Sequence, residues 1–153
     1  MTGARPIGST LGISDVLMEF NGGGTFAAHD LVKFDGSGEL AVATAGAMFL
    51  GVALEAGTSS TDNILVNVTP YLQVIMDNDN DSTAFAAAHT GEYADFIGAT
   101  SAMYIDSNTH SVDAEAGFIC LEYNPKGFGS GLDSDTSIGR YQCLEMSLMG
   151  GLL

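Results

Sequence analysis

Residues 47–55 read AMFLGVALE, and this stretch decides the fold. Strict alternation puts Met48, Leu50, Val52 and Leu54 on one face and Phe49, Gly51, Ala53 and Glu55 on the other, so the first face is expected to be buried in a strand. A glycine in mid-strand predicts a bulge or a close backbone approach at Gly51.

The flanks repeat the pattern. DLVKF (30–34), DGSG (35–38) and ELAVA (39–43) form a strand, a tight reversal and a returning strand. In ILVNVT (64–69), Ile64, Val66 and Val68 are expected to point inward and Asn67 and Thr69 outward. Pro70 interrupts the ladder, and YLQVIMD (71–77) resumes it. Upstream, SDVLMEF (14–20) puts Val16, Met18 and Phe20 on one face. Downstream, EYADFIGA, MYID, GFICLEY and GRYQCLEMSL read as further strands. STAFAAAHTG (82–91) reads either as one short helix, capped by Ser82 and stopped by Gly91, or as an ordered loop. The expectation is an all-β domain of eight to ten short antiparallel strands, a compact barrel or sandwich with at most one short helix. Residues 1–13 are expected to form an extended N-terminal arm. Residues 14–153 are expected to form a single β-rich domain with a possible subdivision near 77–91.

Composition narrows the function. The 153 residues carry 19 acidic and 4 basic side chains (Arg5, Lys33, Lys126 and Arg140), a formal net charge of -15 that repels nucleic acid and anionic membranes alike. MTGARPIGSTLG (1–12) has no apolar run of the secretory kind, and no segment approaches the roughly 20 apolar residues that cross a bilayer. The expectation is a protein made in a cytoplasm and not secreted by a signal peptide. Cys120 and Cys143 sit in apolar strand patterns and read as a buried reduced pair.

Reactive constellations are missing. Asp77, Asp79 and Asp81 alternate like the first ligands of a calcium-binding loop. Ser82 and Ala88 then stand where that loop needs a glycine and a glutamate, so the cluster reads as a solvated turn with at most a cation site. His29, His89 and His110 are far apart and read as surface histidines. Glu92 with Asp95, or Asp113 with Glu115, form carboxylate pairs with nothing beside them to shift a pKa. No catalytic function and no cofactor are expected.

The order HDLVKFDGSGELAVATAG, FLGVALEAG, NILVNVTP resembles the small decoration (cement) proteins on the capsids of tailed bacteriophages. The shared words are Asp35–Gly36, Ala43–Thr44–Ala45–Gly46, Gly51–Val52–Ala53–Leu54 and the valine strand from Ile64 to Val68. The match covers about the first half of the chain. The resemblance implies a structural virion protein on the outer capsid surface that bridges subunits of the major capsid protein as a homo-oligomer, with a trimer favoured over a dimer. Candidate contacts are Arg5, Pro6 and Ile7 in the arm, Lys126 and Phe128 in a glycine-rich loop, and Leu148, Met149, Leu152 and Leu153 in the tail. The rival reading is a calcium-dependent or lectin-like β-sandwich adhesion module.

Overall fold

The computed structural model describes residues 3–59, 62–79, 86–111, 117–125 and 138–144. In chain order the strands are β1 (Arg5–Ser9), β2 (Leu17–Asn21), β3 (Leu31–Phe34), β4 (Leu40–Val42), β5 (Gly51–Ala53), β6 (Asn63–Asn67), β7 (Leu72–Asp77), β8 (Tyr93–Ala94), β9 (Phe96–Ala99), β10 (Ala102–Ile105), β11 (Phe118–Tyr123) and β12 (Ile138–Cys143). One sheet runs β1-β7-β12-β11-β8, a second runs β2-β6-β5-β3-β4, and β9 and β10 make a separate hairpin. All these pairings are antiparallel. The architecture is an all-β sandwich and not a closed barrel.

The two sheets face each other across a core built from Leu72, Val74, Met76, Phe118, Cys120, Tyr141 and Cys143 on one side and Leu31, Phe49 and Val52 on the other. Phe49 stacks on Phe118 (centroids 5.4 Å apart, planes at 13°), and Phe96 meets both rings edge-on. Such pairs add about 0.5–1.5 kcal/mol each to the area they bury.

The second sheet has a core on its other face as well, made by Phe26, Val32, Leu40, Leu50, Ala53, Ile64, Val66 and Val68. The sheet curls around it until Gly22 bridges Leu40 and the Gly23 N–H donates to the Leu40 carbonyl at 2.8 Å. β5 is therefore buried on both faces. Phe49 and Val52 enter the first core, Leu50 and Ala53 the second, and the alternation slips by one residue across Gly51. A Cβ on Gly51 would collide with the Asn67 carbonyl oxygen, which is the expected close approach. The one-faced reading of 47–55 is thereby corrected: Met48 is exposed, while Phe49 and Ala53 are buried.

Three further expectations change. Asn67 and Thr69 are buried, because the outward face of β6 is covered too. They satisfy each other: the Thr69 hydroxyl and N–H both donate to Asn67 Oδ1 (2.6 and 3.1 Å), and Thr69 Oγ1 accepts the Val16 N–H at 2.8 Å. The N-terminal segment is no free arm. Arg5–Ser9 pairs with β7 as an edge strand, a place that tolerates Pro6. Of the proposed helix, Ala87–His89 forms a single 3-10 turn, and Ser82 to Phe85 lie outside the described residues.

Other readings hold. Asp35 closes the hairpin turn by accepting the Ser37 N–H (2.8 Å) and hydroxyl (2.7 Å), bonds that hold its carboxyl below the usual range. Cys120 and Cys143 are buried free thiols on neighbouring strands. Burial pushes Cys120 up to about 11 and Cys143 higher still, so both are inert as nucleophiles.

Candidate functional site

Among the described residues, one exposed apolar stretch is nearly continuous in sequence. Leu11, Ile13, Val16, Leu17 and Met18 are each between 40% and 59% exposed, within eight residues that carry one charge, Asp15. β2 is an edge strand. The Val16 carbonyl accepts from Val68 and the Gly22 N–H donates to Asp62, so even-numbered residues direct their backbone toward β6. By the alternation of antiparallel pairing, Leu17 and Glu19 direct theirs to the open edge. An apolar edge lacking Lys or Pro is what soluble proteins usually cover or blunt. Nearby, Phe34 is exposed and meets Phe20 edge-on at 5.5 Å.

Among the proposed contact residues, Ile7 is pushed outward by a register shift between Pro6 and Gly8, whereas Arg5 lies opposite Ile75. Arg140 lies opposite Ile75 from the other side, so two cations flank one residue on the outer face of the first sheet. Arg140 is tied to Glu122 at 3.0 Å. Lys126, Phe128, Leu148, Met149, Leu152 and Leu153 lie outside the described residues.

The two described aspartates of the run are held differently. Asp77 is fully buried at the end of β7. Asp79 instead accepts the Ser107 N–H (2.9 Å) and hydroxyl (2.6 Å), and Asp81 lies outside the described residues. A carboxylate that sequence reading passed over does more. Asp30, buried, accepts the Ala27 N–H at 2.8 Å and the Ser101 N–H at 3.1 and 3.2 Å, clasping the tip of the β9–β10 hairpin to the loop before β3. Desolvation raises its pKa against the pull of those N–H groups.

The histidines depart furthest from expectation. His89 and His110 stack with centroids 4.6 Å apart and planes at 14°. The His110 side chain is 2% exposed and its Nδ1 lies 4.0 Å from Glu92 Oε2. Burial, then the neighbouring His89, lowers its pKa to about 4, with Asp79 opposing. The arrangement is built by backbone. Thr90 (φ -61, ψ 125) and Gly91 (φ 89) make a type II turn closed by the Glu92 N–H on the His89 carbonyl at 3.0 Å. Tyr93 and Ser111 exchange both backbone bonds, drawing His110 alongside. This pairing joins residues 21 apart, and no local sequence signal announces it.

No family model matches the chain, and no curated protein matches it.

Proposed function

We propose that the chain is a structural protein of a virus particle, a decoration protein of a tailed-bacteriophage head that binds the major capsid protein from outside and bridges its subunits. It works without catalysis, as a homo-oligomer, with a trimer favoured. The observation that carries the proposal is the exposed apolar stretch Leu11–Met18, which leads into the edge strand β2. In a chain of net charge -15, an apolar stretch with a single charge suits docking on a protein lattice, where apolar contact binds and the acidic remainder keeps free copies apart. The resemblance in residues 29–70 points the same way. A ligand that binds only the assembled lattice stabilises it by mass action.

The test is co-sedimentation with capsids assembled from the coat protein encoded in the same genome neighbourhood. The chain should bind mature heads, leave separated subunits alone and raise the heat resistance of the heads. Leu17→Lys should abolish binding and leave the melting temperature within a degree or two, since the side chain is exposed. A folded chain that ignores mature heads sinks the proposal. Calcium-dependent binding to glycans instead would favour the adhesion-module reading.

A further inference from the structure

We propose that His89, Glu92 and His110 form a binding site for a divalent first-row transition ion, with Zn2+ the best fit, that pins the 89–92 turn to the segment before Ser111. One donor atom from each side chain lies within 4.8 Å of the others, and all three residues are partly buried. Two imidazoles and a carboxylate are a donor set that zinc proteins use, with a fourth position left for water or another ligand. Hard cations such as Ca2+ and Mg2+ prefer oxygen alone.

The backbone is prepared to hold the donors. The turn is fixed on both sides of the Gly91–Glu92 peptide, because the Gly91 N–H donates to the Cys120 carbonyl (2.8 Å) and the Cys120 N–H to the Glu92 carbonyl (2.9 Å). His110 is set by the Asp106-capped 3-10 turn Ser107–Thr109 and by the Ser111–Tyr93 bridge that follows it. Gly91 holds a positive φ of 89°, which lets residues i and i+3 of the turn present both side chains to the same place.

Coordination requires the three donors to draw together. Donors around one tetrahedral zinc sit roughly 3.3 Å apart, given Zn–N bonds of about 2.0–2.1 Å, so each must come in by about 1 Å. Parallel stacked rings cannot both aim an in-plane lone pair at one ion, so one ring must swing out of the stack. His89 is that ring: it lies on the turn, and its Nδ1 accepts the Ala86 N–H at 3.1 Å in an exposed bond that coordination gives up. His110, buried in place, is the fixed donor. The net charge of -15 favours any cation near the surface, while the two imidazoles make the choice among cations.

The experiment is calorimetric titration of chelator-stripped full-length protein with ZnCl2, with CaCl2 and MgCl2 as hard-cation controls and CoCl2 as a spectroscopic probe. The proposal expects one saturable Zn2+ site per chain at micromolar concentration, a higher melting temperature with zinc, and the visible Co2+ bands of a low-coordinate nitrogen–oxygen site. His89→Ala and Glu92→Gln alter partly exposed side chains on a turn and keep the fold, which the melting temperature in chelator verifies. Each should weaken zinc binding at least about tenfold. Zinc binding unchanged in both variants, equal responses to Ca2+ and Zn2+, or no saturable site at all would each overturn it.

Discussion

Replacing Gly51 by alanine tests the idea that two cores share one wall. The added methyl would meet the Asn67 carbonyl oxygen inside contact distance, with Asn67 C at 3.1 Å and Val66 Cγ1 at 3.0 Å. These are backbone and packed side chain, not the loose end of a flexible group, so β5 and β6 must part by about 1 Å from their usual spacing of roughly 4.8 Å. The pairs Val52–Asn67 and Ala53–Val66 then stretch, and so does the 2.9 Å bond from Leu54 to Leu65. Two or three hydrogen bonds worth about 1 kcal/mol each, together with overpacking of about 1–3 kcal/mol, give a loss of about 3–4 kcal/mol after partial relaxation. At this chain length that is a fall of roughly 6–16 °C in melting temperature. Urea unfolding of Gly51→Ala beside two controls is the assay. Gly46 has φ 70 and open space around it, so Gly46→Ala should cost only the left-handed strain of about 1–2 kcal/mol. Gly24 has only one neighbour, at 3.9 Å, so Gly24→Ala should be neutral or stabilising by about 0.4–1 kcal/mol. A Gly51→Ala protein within about 0.5 kcal/mol of the parent, the scatter of a surface substitution, would refute the reasoning.

Phe118→Ala removes the ring that Phe49, Phe96 and Tyr141 all touch, and should cost about 3–5 kcal/mol in urea, whereas the exposed Phe34→Ala should cost under about 1 kcal/mol. Asp30→Ala strands the Ala27 and Ser101 amides. It should cost about 2–4 kcal/mol and speed hydrogen exchange at both amides, with unchanged exchange counting against the clasp. With chelator present, stability should fall as pH drops from about 6.5 to about 4, because the unfolded chain protonates His110 first. The loss from this group levels off below that window and amounts to about 2–3 kcal/mol. His110→Phe, which keeps a ring against His89, should lose that part of the acid sensitivity, and parallel pH profiles for the two proteins would contradict the assignment.

How much was legible in the sequence follows from how local each cause is. The β3–β4 hairpin was readable because Asp35, Ser37 and Gly38 carry the turn chemistry themselves. Gly51 was readable because a glycine amid bulky strand residues marks a point where a side chain would not fit. The burial of Asn67 and Thr69 was not, since polar residues at outward positions signal solvent unless a second core covers them, and that core exists only once the sheet curls. β1 was hidden by Pro6 and Gly8, residues that weaken a strand signal and survive because the strand lies at an edge. The histidine cluster and the Asp30 clasp both join segments remote in the chain, through the Tyr93–Ser111 bridge and the β9–β10 hairpin respectively. Periodicity carries no information about either.

β5 has no outside. Any change to Val52 or Ala53 must be matched by partners on two sides at once. As copies of this gene diverge, residues 49–53 should drift most slowly, and distant kin would be recognised by that short phrase long after the rest of the text has been rewritten.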